Sequence, residues 1–100
     1  MPGCHLDTQK RFCDAQTIVS HQNNVYINNL LWAVEGDLDT HCDQGALVAC
    51  YGAQNVYINN IKVICAVGDC AEPDFFACFV YHPPSKTRPK EHSTDTWVYR

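Results

Sequence analysis

Asn24-Val25-Tyr26-Ile27-Asn28-Asn29 recurs letter for letter, 31 residues on, as Asn55-Val56-Tyr57-Ile58-Asn59-Asn60. Chance does not account for six identical consecutive residues in a chain of 100, and a fixed offset marks a repeated supersecondary unit. Val-Tyr-Ile favours a strand, because branched and aromatic side chains pack well on a pleated surface. Asn-Asn supplies two adjacent residues that tolerate positive φ, as a type I′ turn requires. Each block therefore predicts a β-hairpin. The return strands are Leu30-Leu31-Trp32-Ala33-Val34 and Ile61-Lys62-Val63-Ile64-Cys65-Ala66-Val67.

The match extends outward on both sides. Gly36-Asp37 recurs as Gly68-Asp69 at an offset of 32, so the second unit carries one inserted residue. Leu6-Asp7-Thr8 matches Leu38-Asp39-Thr40, and Cys13-Asp14 matches Cys42-Asp43, with a first loop three residues longer. Thr17-Ile18-Val19 and Ala46-Leu47-Val48-Ala49-Cys50 enter the two hairpins. A third unit is degenerate. Residues 75–81 form an apolar run in the place of the entering strand, and Val98-Tyr99 can be laid on Val25-Tyr26 and Val56-Tyr57. Between them, residues 82–95 are polar, charged and Pro-containing, and predict a long loop along the side of the domain that avoids burial.

The expected fold is all-β: one domain, residues 1–100, of three hairpin repeats (about 4–35, 36–67 and 68–100) packed around a common axis. The third repeat lacks a return strand. An unrelated C-terminal tail is the alternative for residues 71–100.

Bulk composition narrows the function. Net charge is -4, which disfavours a general nucleic-acid binder, although residues 86–100 carry four basic side chains against two acidic ones. No apolar run approaches the ~20 residues of a membrane span. Met1-Pro2-Gly3-Cys4-His5 lacks the charged and apolar regions of a secretory signal, so synthesis and residence in a reducing cytoplasm are expected. Seven cysteines cannot all pair within one chain, and a reducing compartment argues against a disulfide framework. No Cys-x-x-Cys pair is present.

Asn-Val-Tyr-Ile-Asn followed by a short strand into Gly-Asp, twice in register, resembles the proline-alanine-alanine-arginine (PAAR) repeat family. The Gly45-Ala46-Leu47-Val48 entry strand and the Met-Pro-Gly start are similar as well. The resemblance is good over residues 1–70 and weak beyond. It implies a small β-rich cone with pseudo-threefold symmetry that caps and sharpens the trimeric β-helical spike of a contractile phage tail or type VI secretion system. One monomer would dock per trimer and meet the target membrane transiently on injection, with no nucleic acid involved. The protein would be assembled at the tip of a phage baseplate or secreted on a type VI spike. The resemblance also implies a metal ion held near the apex, zinc in most members. Two departures mark a divergent member. Leu31-Trp32-Ala33-Val34 stands where the naming tetrapeptide is expected, with only Ala33 in agreement, and Cys4-His5 replaces Gly-Asp in the first unit.

Repeats bring equivalent loops together, and the loops before the entering strands supply Cys13, His41, Cys42 and Cys70. Thiolate and imidazole are the ligands that Zn²⁺ prefers in a closed four-ligand site. These residues are the candidate metal ligands, with His5 as a substitute at the head of the first loop; iron is the alternative metal. Cys50, Cys65 and Cys78 are expected as core thiols, Cys4 as exposed, and His21, His82 and His92 as surface residues. The acidic residues Asp7, Asp37, Asp39, Asp43 and Asp69 are expected to do ordinary turn work. Tyr26, Trp32 and Tyr57 are expected to pack in or beside the core.

The expected role is structural, with no catalytic residue. A cysteine nucleophile served by His41 or His5 is the enzymatic alternative. A small metal-binding adaptor or regulatory domain unrelated to injection is the other.

Overall fold

The computed structural model describes residues 3–41, 45–50, 56–66, 69–76, 79–94 and 96. Among these the chain is all-β apart from one short helix. Unit one supplies β1 (Gly3–Cys4), β2 (Thr17–Ile18), β3 (Tyr26–Ile27) and β4 (Leu30–Leu31). Unit two supplies β5 (Leu38–Asp39), β6 (Leu47–Val48), β7 (Tyr57–Ile58), β8 (Ile61–Lys62) and β9 (Cys65–Ala66). The third supplies β10 (Cys70–Ala71), β11 (Asp74–Phe76), β12 (Val80–His82) and the helix α1 (Pro84–Thr87). Pairing is antiparallel: β1 with β9, β2 with β5, β3 with β4, β6 with β10, β7 with β8 and β11 with β12.

Both repeated hairpins form in the expected register. Tyr26 lies opposite Leu31 and Ile27 opposite Leu30; Tyr57 lies opposite Lys62 and Ile58 opposite Ile61. φ is 53° and 68° at Asn28 and Asn29, and 52° and 66° at Asn59 and Asn60. Two successive left-handed residues twist the turn to match the right-handed twist of its strands. The hairpins are neighbours, since Asn24 Nδ2 donates to Asn59 Oδ1 at 3.2 Å. Val25, Ile27, Val56 and Ile58 turn toward the core, so strand alternation sends Tyr26 and Tyr57 to solvent. The two tyrosines are exposed, contrary to the expectation of packing, while Trp32 is half-buried and donates from Nε1 to Ile64 O at 3.1 Å.

A closed ring of three backbone hydrogen bonds joins the units. His5 N–H donates to Ile64 O (3.2 Å), Ile64 N–H to Ala33 O (2.9 Å), and Ala33 N–H to His5 O (2.9 Å). Bridges between Leu6 and Trp32 and between Val34 and Val63, with the β1–β9 pair, complete three sides around this ring. Ala33 and Ile64 hold equivalent repeat positions, and the N-terminal segment fills the third. Residues 3–6 thus occupy the place of a third return strand. Cys4, Leu6, Val34, Ile58, Val63 and Cys65 form one apolar cluster; Val19, Ala33, Leu47, Ile64 and Ala71 form another.

The Gly-Asp corners work through the carboxylate. Asp37 Oδ2 accepts Val34 N–H at 2.9 Å, and Asp69 Oδ2 accepts Cys65 N–H at 2.7 Å. The acceptor lies three residues after its donor in the first unit and four in the second, which places the inserted residue within this corner. Gly36 has φ 97°, which requires glycine.

Two expectations for the third unit are corrected. The run 75–81 is not one strand but reverses, with Phe79 N–H donating to Phe76 O at 3.1 Å, and becomes the β11–β12 hairpin. The segment 82–95 contains α1 and buries Thr87, Pro89 and Ser93. It is tied to the first unit, since Lys90 and Glu91 N–H donate to Lys10 O and Ser93 N–H donates to Cys4 O. Residues 98 and 99, laid above on the repeated Val-Tyr, lie outside the described residues.

Candidate metal centre

Cys13, His41, Asp74 and His82 each point one donor atom into a single group, with all four atoms within 4.8 Å of one another. They arrive from three local structures. Cys13 sits in a tight turn in which Arg11 N–H donates to Ala15 O (2.8 Å) and Asp14 N–H to Arg11 O (3.0 Å). Asp14 takes φ 67° to close that turn. His41 follows β5, and its N–H is held by Asp39 Oδ1 at 3.0 Å. Asp74 opens β11 and His82 ends β12, directly opposite each other in the ladder.

Asp74 is the hub of the group. Its Oδ1 lies 2.7 Å from His82 Nδ1, and its Oδ2 lies 3.2 Å from His41 Nδ1 and 3.7 Å from Cys13 Sγ. Cys13 Sγ is 3.9 Å from His41 Nδ1. The Asp74 side chain is fully buried, that of His41 nearly so, and that of His82 is partly exposed. The Phe76 ring lies edge-on to His41 with centroids 5.2 Å apart, and the two imidazoles are 5.0 Å apart.

The charges in the group follow from burial and proximity. Burial would raise the pKa of Asp74, but a hydrogen bond with Asp39 and the His82 and His41 imidazoles outweigh it and hold the carboxyl below its usual range. Burial, reinforced by Asp74, pushes Asp39 up to about 6. The Cys13 thiol is raised too, first by burial and then by Asp74 and Asp39, against the lowering effect of Ala15 N–H and Arg11. A thiol in this position ionises readily only when a cation joins it.

Arg11, fully buried, fastens the surrounding loops. Its Nε donates to Thr17 Oγ1 (3.1 Å), Nη1 to Gly45 O (2.5 Å) and Thr87 O (3.4 Å), and Nη2 to Asp37 O (3.2 Å). Asp39 Oδ2 faces Nη1 at 3.4 Å. One planar guanidinium thus bonds groups from all three units. Five fixed donors make arginine suited to that task.

The residues picked out by sequence divide. Cys13 and His41 belong to the group. Cys42 lies outside the described residues. Cys70 is joined by a disulfide to Cys50, with Cα atoms 5.7 Å apart, so its sulfur is not a thiolate available to a metal. That bond corrects the expectation of unpaired thiols: the β6–β10 ladder sets Cys70 opposite Val48 and brings the Cys50 side chain within reach. It also places Cys50 at the surface rather than in the core. His5 is buried away from the group and committed on both ring nitrogens, Nδ1 to Glu91 O (2.6 Å) and Nε2 to Thr17 Oγ1 (2.7 Å). Cys4 is buried, not exposed.

No family model, curated protein or solved structure matches this chain. The site is therefore characterised by its own donors. One thiol, two imidazoles and one carboxylate form a set that could hold a metal ion. Asp74 and His82 escaped sequence reading, because both flank an apolar run that resembled a single strand. Asp7, Asp37, Asp39 and Asp69 accept backbone N–H bonds, the turn work expected of them.

Proposed function

We propose that this protein is a metal-stapled structural tip, similar to the PAAR-repeat proteins, that caps a trimeric β-helical spike of a contractile injection machine. The observation that supports it most is the origin of the four donors. Cys13 comes from the first unit, His41 from the second, and Asp74 and His82 from the third, so one ion would cross-link all three. The ring of hydrogen bonds among His5, Ala33 and Ile64 supports a body suited to a threefold partner.

Zinc is the proposed ion. Cys, His and Asp are its ordinary ligands, and four protein donors make a closed structural site. Tetrahedral ligation at usual bond lengths needs donors about 3.3–3.7 Å apart. The Cys13–Asp74 and Cys13–His41 separations of 3.7 and 3.9 Å lie close to that spacing, while the 2.7 Å contact between Asp74 and His82 would lengthen on ligation. A thiolate and a carboxylate also balance the charge of a divalent ion.

A structural role fits the group better than nucleophilic catalysis. His41 presents the same nitrogen, Nδ1, to both Cys13 and Asp74, whereas a base oriented by a third group uses its two nitrogens on opposite sides. The raised Cys13 thiol likewise disfavours an activated nucleophile.

Mixing the purified protein with the trimeric spike protein encoded near it, followed by size-exclusion chromatography with mass determination, tests the reading. One chain per trimer is expected. No complex at tens of micromolar, with the metal still bound, favours instead a metal-binding adaptor unrelated to injection.

A further inference from the structure

Cys4 and Cys65 face each other across the β1–β9 pair. Both thiols are buried in the apolar cluster with Leu6, Val34, Ile58 and Val63. Their backbone bonds show which kind of cross-strand pair this is. Cys4 N–H donates to Thr96 O at 3.3 Å, and Cys4 O accepts Ser93 N–H at 2.8 Å. Cys65 N–H goes to Asp69 Oδ2 at 2.7 Å, and Cys65 O accepts Asp69 N–H at 3.4 Å. The adjacent pair is joined through the backbone, His5 N–H donating to Ile64 O at 3.2 Å, so by the alternation of an antiparallel ladder Cys4 and Cys65 form a non-hydrogen-bonded pair, in which Cα atoms approach to about 4.5 Å with side chains close on one face. That separation lies inside the ~4.4–6.8 Å that a disulfide accepts.

We propose that Cys4 and Cys65 form a redox pair that closes a cross-strand disulfide, with a small-molecule disulfide such as oxidised glutathione as the oxidant. One cysteine, as thiolate, attacks the oxidant, whose S–S bond breaks to release one glutathione thiol and leave a mixed disulfide. The second cysteine displaces the other glutathione. One S–S bond is broken and one is formed, and the two thiol protons leave on the two glutathiones. The protein pair is oxidised and glutathione is reduced.

The position gives the bond a consequence. Residues 3–6 complete the ring in place of a third return strand, and β1 is only two residues long. A bond from Cys4 to Cys65 fixes that segment covalently to the return strand of the second unit. The Cys50–Cys70 disulfide already fixes the segment just after β6 to β10, so the two bonds fasten different seams. Burial limits the rate. It pushes the Cys4 thiol up to about 12, with Cys65 adding to the effect, so attack awaits opening of the N-terminal segment. The pair does not depend on the metal centre or on any spike partner.

The test treats the full-length, metal-loaded protein with oxidised glutathione, quenches with acid, alkylates remaining thiols in denaturant, and maps peptides without reduction. Trypsin with an aspartate-directed protease releases residues 1–6 and 63–68, each holding a single cysteine. The expected result is a peptide pair joined through Cys4 and Cys65, accumulating with time and absent from Cys4→Ala treated alike. Recovery of both cysteines as alkylated thiols, or as separate glutathione adducts, overturns the proposal. So does a joined pair that appears only when the oxidant is added in denaturant.

Discussion

Asp74 and His82 stand opposite each other at the open end of the β11–β12 ladder, with Asp74 Oδ1 2.7 Å from His82 Nδ1. The other carboxylate oxygen serves His41. One carboxylate thus holds the imidazoles of two units and prepares the donor set that a cation would bind. Asp74→Asn keeps the shape and removes the charge. It is expected to weaken zinc affinity by at least ~100-fold, the upper range for disturbing even an outer-shell partner. Competition with a chromogenic chelator measures this, and an unchanged affinity would remove Asp74 from the ligand set.

Arg11 predicts a cost that charge alone does not explain. Lysine keeps the positive charge beside Asp39, but its single ammonium cannot serve Thr17, Gly45, Thr87 and Asp37 together. Arg11→Lys is expected to destabilise the protein by ~1–3 kcal/mol, through buried carbonyls left unpaired. Urea unfolding reads this as a lower midpoint with an unchanged slope. An unchanged midpoint would mean that Arg11 acts only as a countercharge.

At the hairpin turns, positive φ sets the sign of each substitution. Asn29→Gly and Asn60→Gly are expected to be near neutral, whereas Asn29→Val and Asn60→Val each cost ~1–2 kcal/mol. Equal effects at the two sites are expected because the turns are equivalent. Thermal melts of the four variants measure them, and a tolerated valine would contradict the type I′ geometry.

These turns were the most legible part of the chain, because an exact repeat and an Asn-Asn pair state both the hairpin and its turn type. Cys13 and His41 were legible for a related reason: repeat position placed them in neighbouring loops. Asp74 and His82 were not. Residues 77 and 78, alanine and cysteine, carry no Gly, Pro, Asn or Asp to announce a reversal, so the apolar run from 75 to 81 resembled one strand. The Cys50–Cys70 bond was hidden because pairing depends on the β6–β10 ladder, between strands far apart in sequence. Ring closure by residues 3–6 was hidden too, since such a short segment shows no periodicity.

His5 predicts a pH dependence. Its Nδ1–H donates to Glu91 O, and its Nε2 accepts from the Thr17 hydroxyl, which in turn accepts from Arg11 Nε. Burial lowers the pKa from 6.5 to about 4; the Glu91 bond opposes that shift, and the Arg11 cation adds to it. The unfolded chain therefore takes up this proton first as pH falls. Stability from His5 is intact above about pH 6.5 and is lost between there and about pH 4, by on the order of 3 kcal/mol. Urea midpoints of the metal-free protein and of His5→Gln at pH 7 and pH 4.5 isolate the effect. Equal losses in the two proteins would contradict it.

The most direct test of the metal staple is elemental mass spectrometry on protein purified without a metal-binding tag, paired with melting in the presence and absence of a chelator. About one zinc per chain is expected, lost in Cys13→Ser and His82→Ala, with a fall in melting temperature of several degrees or more on chelation. Metal at trace level only, with a melting temperature that the chelator does not move, would contradict the account.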